Sequence, residues 1–435
     1  MDLLSPEVQS EILKCVRCRT CLPVCPTFAE LEVEMDSPRG RIALAKAVSL
    51  GKISVTERLV GHLYCCLDCR ACETVCPSGV KYGEIIESAR SYVEEHWKRP
   101  KPEQFLKTLF LKKIFPYPRR LEGLAWILRC YQKSGLQTFL RKFNLTRLLP
   151  GNLGELEKMT PVLSDRSSRS TLPSIIPPKG ERRYRVALLL GCITDIGFAS
   201  LNEATARVLS ENGCEVLTVK EQKCCGALQV HNGDSKTAQE MAKYNLQVFE
   251  SAGADYIIVN AAGCGAMLKE YGFLLGDDPQ YRERARIFSS RVRDVNEFLI
   301  DVVQANGGLR GTLNPIPKRV AYHDACHLAH GQRVRKQPRK LLQSIPALEL
   351  VELKESDWCC GSAGIYNITN YDLSMRLLDR KMDNVAKTQA EILAAANPGC
   401  MIQLEAGIKK KGLAMKVMHP IELLDKAYHP DHPLS

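Results

Sequence analysis

From residue 181 onward, short aliphatic runs alternate with longer amphipathic stretches. RVALLLGC (185–192) is followed by LNEATARVLSENG. CEVLTVKEQKCCG (214–226) and ADYIIVNAAGC (254–264) come next, and RVRDVNEFL spans 291–299. Runs this short, rich in aliphatic and β-branched residues, predict strands, and the stretches between them predict helices. Upstream the pattern is helical. Ser37-Pro38-Arg39-Gly40-Arg41 predicts a helix start that IALAKAV continues, and VKYGEIIESARSYVEEHW after Cys76 predicts another. Segment 101–150 interleaves apolar and basic residues and reads as helical, broken near Pro116 and Pro118. Residues 161–180 are rich in Ser and Pro without apolar periodicity and read as a linker. No charge-free stretch approaches the ~18–20 apolar residues of a spanning helix, which excludes a polytopic membrane protein.

The strand pattern occurs twice. RVAYHDAC (319–326), ALELVELKESDWCCG (347–361), AEILAAANPGC (390–400) and KVMHPIELL (416–424) align with the four segments above. Cys192 to Cys224 is 32 positions and Cys326 to Cys359 is 33; Cys225 to Cys264 is 39 and Cys360 to Cys400 is 40. Such spacing marks an internal duplication. Strand–helix alternation predicts parallel, Rossmann-like α/β units. Ligands of such sheets gather at the carboxyl ends of strands, and the cysteines fall there.

Length and composition bound the rest. The 435 residues suggest two to four domains at roughly 100–200 residues each. Hydrophobic content of 45% and charged content of 25% are those of a globular protein. The N-terminal MDLLSPEVQSEILKC has no basic stretch followed by an apolar one, so no secretory signal and a reducing, cytoplasmic setting are expected. Nineteen clustered cysteines then point to metal rather than disulfides.

Cys15, Cys18, Cys21 and Cys25, followed by Pro26, have the spacing Cys-x2-Cys-x2-Cys-x3-Cys-Pro, and Cys66, Cys69, Cys72, Cys76 and Pro77 repeat it. Paired Cys-x2-Cys units also suit zinc, but the third Cys, the fourth after three residues and the Pro in both copies favour the two-cluster ferredoxin run. Three thiolates on a tight loop cap one [4Fe-4S] cluster. The fourth begins a helix and points to the other, so the expected ligation is crossed. Cys15, Cys18, Cys21 and Cys76 are assigned to one cluster; Cys66, Cys69, Cys72 and Cys25 are assigned to the second. Cys65 fits no ligand position. The expected fold class is therefore α+β multidomain. An all-α two-cluster ferredoxin module covers 1–98 and a basic helical connector and linker 99–180. Duplicated α/β halves follow at 181–307 and 308–435.

The N-terminal module resembles the α-helical ferredoxin domain of respiratory dehydrogenase iron–sulfur subunits. The duplicated part resembles the cysteine-rich CCG domain of heterodisulfide reductase and its relatives. That resemblance implies metal ligation by Cys192, Cys224, Cys225 and Cys264 in the first half and by Cys326, Cys359, Cys360 and Cys400 in the second. The family's fifth thiolate is missing here, with Met267 and Gln403 in its place. Three outcomes stay open: both halves hold a further Fe–S cluster, only one does, or the cysteines are packed in a core as small hydrophobes. The second half is the richer site, because His323, Asp324 and His327 lie beside Cys326.

The order of modules, with CVRCRTCLPVCPTF, MDSPRGRI, YHDACHLAHGQ and WCCGSAGIYNI, resembles the iron–sulfur subunit family of bacterial glycolate oxidases. The resemblance implies FAD-containing partner subunits that oxidise a 2-hydroxy acid. It implies that this chain takes their electrons toward a quinone or another acceptor, and that it sits peripherally on the inner face of the cell membrane. The alternative is a free-standing CCG-type reductase of a disulfide or quinone. No Gly-x-Gly-x-x-Gly follows the first strand, so the substrate chemistry is expected on a partner.

Charge adds one feature. The net charge is +11, and segment 101–150, with eleven basic residues and two acidic ones, carries +9 of it. Three readings of this connector stand: a solvated helix face, a dock for an acidic partner, or a surface on anionic lipid. Its basic residues lie among aliphatics with no recognition motif, which argues against nucleic acid.

Overall fold

The computed structural model describes residues 5–431. Among its described residues the N-terminal module consists of helices joined by loops, without strands. Its principal helices are Pro6–Leu13, Pro38–Ser49, Glu57–Tyr64 and Tyr82–His96. The Ser37 side chain caps Pro38–Ser49 by accepting from the Gly40 N–H at 3.0 Å, and Pro38 occupies the first turn. Cys25 stands at the start of helix Pro26–Leu31, as expected. Cys76 does not begin a helix. A turn closed by Gly79, at φ 61°, follows it, and the next helix starts only at Tyr82.

The connector forms helix Lys101–Lys107, a wider turn over Thr108–Ile114 and, after the break at Pro116, helix Pro118–Lys133. Leu121, Ala125 and Arg129 of the last helix turn inward, and Leu121 and Ala125 pack against Ile196 beside Cys192. The stretch read as a linker is in part structured. Ser168–Thr171 is a helical turn, and Ile175–Ile176 (β1) pairs antiparallel with Cys214–Thr218 (β3).

The first α/β half contains Tyr184–Leu188 (β2), β3, Tyr256–Val259 (β4) and Val292–Asp294 (β5), in the order β1-β3-β2-β4-β5. The second contains Arg319–His323 (β6), Glu349–Val351 (β7), Ile392–Ala395 (β8) and Lys416–Met418 (β9), in the order β7-β6-β8-β9. Apart from β1, all pairs are parallel, and the two halves share one strand order.

Alternation along the strands explains how the halves fuse. Val186, Leu188 and Val216 of the first sheet share one apolar core with Val320, Tyr322 and Ala394 of the second. The opposite faces form separate cores, around Ala187, Leu217 and Ile257 in one half and around Ala321, Leu393 and Ala395 in the other. Both faces of each sheet are buried, hence the nearly unbroken aliphatic runs. Helix Pro420–Tyr428 packs on helix Ala199–Glu211, and Arg207 clasps Asp425 at 2.6 Å.

The helical module sits against both halves. Thr74 bonds His330 at 2.8 Å, Tyr366 donates to the Cys65 carbonyl at 3.0 Å, and Arg376 donates to the Glu30 carbonyl at 2.6 Å. Toward the first half, Tyr64 donates to the Asn232 carbonyl at 3.1 Å, and Arg90 donates to the His231 carbonyl at 3.0 Å.

Candidate metal centres

The two cysteine packets fold into loops with the same backbone distortion. Arg17 and Arg19 in the first, and Asp68 and Arg70 in the second, all have φ between 52° and 71°. None is glycine. Each such residue costs about 1 kcal/mol or more, and the chain uses the two turns to wrap its thiols around one centre.

The cysteines sort around two clefts. One is lined by Cys15, Cys18, Cys21 and Cys76. The other is lined by Cys25, Cys66 and Cys69. Cys72 borders both, as do Pro38 and Tyr82, so the clefts share a wall. The fourth cysteine of each packet thus lies at the cleft of the other packet.

The surroundings suit thiolate ligands. Tyr82 donates its hydroxyl to Cys66 Sγ at 3.4 Å, and the Asp68 N–H reaches the same sulfur at 3.3 Å. Cys25 Sγ lies 3.3 Å from Thr27 Oγ1. The buried Arg41 donates to the His62 carbonyl at 2.7 Å and to Thr27 Oγ1 at 3.1 Å, and its charge bears on Cys25 and Cys66. Burial first, and then the neighbouring thiols, push Cys69 and Cys72 well above the usual thiol range. Such thiols ionise when a metal cation supplies the opposing charge. All-sulfur donor sets around two clefts fit iron–sulfur clusters.

Each α/β half also gathers its four cysteines at the carboxyl ends of its strands. Cys192, Cys224, Cys225 and Cys264 stand in a chain, each thiol within hydrogen-bonding reach of the next. Cys326, Cys359, Cys360 and Cys400 do the same. At the position three after Cys400, Gln403 is buried and spends its amide on Ser374 and Asn367. Met267 is buried in the apolar core of the first half.

The two kinds of centre meet at one place. Cys69 shares a buried cluster with Cys326, Cys359 and Tyr366. Beside it lies a charged group that the sequence did not reveal. Arg70 binds Glu87 at 2.8 Å and also Glu270, and His231 lies 3.5 Å from Glu87. Asp68 is held well below the usual carboxylate range. Its burial opposes ionisation, but Arg70 and His231 outweigh it. An acid and a base flanking Cys69 are the only trace of this group in the sequence.

Family models match the chain in the same places. A 4Fe-4S dicluster domain matches residues 11–80, the linker region of glycolate oxidase iron-sulfur subunits matches 102–160, and a cysteine-rich domain matches 186–269 and again 320–405. A probable glycolate oxidase iron-sulfur subunit of Bacillus subtilis strain 168 is 41% identical over 96% of this chain and 94% of its own. The glycolate oxidase iron-sulfur subunit of Escherichia coli strain K12 is 34% identical over 97% and 95%. A crystal structure of a hypothetical protein from Helicobacter pylori resembles it in fold alone, with TM-score 0.55 at 11% identity, covering 99% of this chain and 74% of the other. With its four modules in this order and these two relatives matching over nearly the whole of both chains, the chain belongs to the glycolate oxidase iron-sulfur subunit family.

Proposed function

We propose that this chain is the electron-transfer subunit of a glycolate oxidase, taking electrons from FAD-containing partner subunits and delivering them toward a quinone. The observation that carries the reading is the unbroken succession of thiol sets. The cleft of Cys15, Cys18, Cys21 and Cys76 shares a wall with that of Cys25, Cys66, Cys69 and Cys72, and Cys69 packs on Cys326 and Cys359. Each cleft would hold one [4Fe-4S] cluster, and Cys326, Cys359, Cys360 and Cys400 would hold a further iron–sulfur cluster. Bound there, the clusters supply one-electron storage and transfer. The chain's own residues ligate, exclude water and set the charge around the sulfurs. Arg41 bears on Cys25 and Cys66, and Lys381 sits buried beside Cys359 and Cys360.

Peripheral attachment to the inner face of the membrane is part of the same proposal. No helix among the described residues is long and apolar enough to cross a membrane. The connector exposes Phe105, Leu106, Trp126, Ile127, Phe139 and Phe143 among its basic residues, an arrangement suited to the interface of an anionic bilayer.

The test is anaerobic purification with iron and sulfide counting and EPR. About eight irons mean the two N-terminal clefts alone, about twelve one occupied α/β half and about sixteen both. Glycolate should reduce these centres only when the flavin subunits are added. Reduction of a disulfide or quinone by the isolated chain, supplied with a chemical reductant and no flavin protein, would favour a free-standing reductase instead.

A further inference from the structure

His323, the last residue of β6, is fully buried; no side chain hydrogen-bonds its ring, and the Ser356 backbone is its one polar neighbour besides the sulfurs and nearby charges. The other buried histidines are each engaged through one nitrogen. His327 faces Cys326, His330 faces Thr74, and His419 caps its helix.

The ring of His323 is aimed at sulfur. A ring nitrogen and the Cys360 and Cys400 sulfurs all lie within 4.8 Å of one another. The first half has no equivalent. The repeat sets Leu189 where the second half has His323, and Leu189 packs in the apolar core with Cys224 and Cys225. The two gatherings of four thiols are alike; the imidazole distinguishes them.

We propose that His323 is a fifth donor at the second-half centre, binding iron through its imidazole beside the thiolates of Cys326, Cys359, Cys360 and Cys400. This rests on the reading that the second half holds an iron–sulfur cluster. A neutral imidazole adds no negative charge, and histidine ligation is associated with raised potentials in Rieske centres. The second half is then the electron-accepting end of the thiol succession, and the two halves are chemically distinct.

The experiment uses the anaerobically purified full chain, iron-counted, with the second-half EPR signal identified as the one lost in Cys360→Ser. Pulsed EPR of that signal is compared between protein grown with natural and with 15N-labelled histidine. Ligation predicts a strong nitrogen coupling that changes with the label and disappears in His323→Leu. The same coupling persists in His327→Gln. His323→Cys should keep the iron and lower the potential of that centre. A second-half signal without histidine coupling, or one whose coupling survives His323→Leu, overturns the proposal while leaving the cluster in place. An iron count of about eight overturns the underlying reading as well. The isotope comparison needs no substitution at His323, so a variant that fails to fold does not protect the proposal.

Discussion

His231 Nδ1 lies 3.0 Å from Asp68 Oδ2, and this ion pair ties the second cysteine loop to the first α/β half. Burial disfavours the imidazolium, but Asp68 and Glu87 hold the His231 pKa up to about 9, against an ordinary 6.5. A pKa raised by folding stabilises the protonated protein. The contribution is complete below about pH 6.5 and is lost as pH climbs through about 9. At neutral pH it is on the order of 2–3 kcal/mol. Anaerobic urea titrations of the wild type and of His231→Gln should therefore converge as pH rises past 9. A gap that does not depend on pH would show the pair to be unimportant.

Gly40 is required by space. A Cβ there would fall on the Glu34 carbonyl oxygen, in backbone that cannot move aside cheaply. Gly40→Ala should cost about 1–3 kcal/mol by overpacking. It should also shift the first turn of helix Pro38–Ser49, which carries Arg39 and Arg41 toward the cysteines. A lower urea midpoint with less retained iron is expected; a wild-type midpoint would refute it.

Arg41 is the cation on which the Asp36 carboxylate depends. The pair spans 3.4 Å, both side chains are nearly dry, and His62 Nδ1 is the other neighbour of Asp36 at 3.0 Å. Arg41→Met leaves that carboxylate under-compensated, at a cost of about 3–5 kcal/mol. Lysine cannot reproduce the three-way fork to His62, Thr27 and Asp36, so Arg41→Lys should recover little. Thermal unfolding under argon would measure both, and full recovery by lysine would contradict the geometry.

On the connector, Lys112, Lys113, Arg119 and Arg120 are exposed. Their joint replacement by Glu should abolish co-sedimentation with phosphatidylglycerol vesicles, whereas phosphatidylcholine vesicles bind neither form. Trp126→Ser should weaken binding without changing its salt dependence. Unchanged sedimentation of the quadruple variant would remove the lipid reading and leave a solvated face or a dock for an acidic partner.

Three cysteines stand outside the thiol sets, and they differ in access. Cys130 is exposed, Cys65 is half-buried and Cys214 is fully buried. Burial raises the Cys65 thiol to about 11 and the Cys214 thiol to about 12. Brief iodoacetamide treatment of the iron-loaded protein should label Cys130, and Cys130→Ser should remove that fast label. Rapid labelling of Cys214 in folded protein would contradict its place in the shared core.

The strands were legible because parallel strands covered on both faces read as aliphatic runs, and the duplication made each half a control on the other. The cysteine spacing carried the two clefts for a similar reason, since loop ligands are local. What escaped was not local. Arg70 meets Glu270, and His231 meets Asp68, across large sequence separations that no periodicity encodes. Arg17, Arg19, Asp68 and Arg70 adopt a conformation usually flagged by glycine, and here no glycine marks it. Two residues in extended pairing within a Ser/Pro-rich stretch left β1 without a pattern.

That small strand has a consequence for synthesis. Ile175–Ile176 precedes β3 in the chain and covers its outer edge, with Thr218 N–H bonding the Ser174 carbonyl at 2.9 Å. The ribosome therefore releases the guard before the edge it guards. When β3 emerges, its unpaired N–H and C=O groups meet a partner already waiting on the same chain. A sheet assembled beside other nascent copies is thus shielded from pairing with them at its first exposed margin.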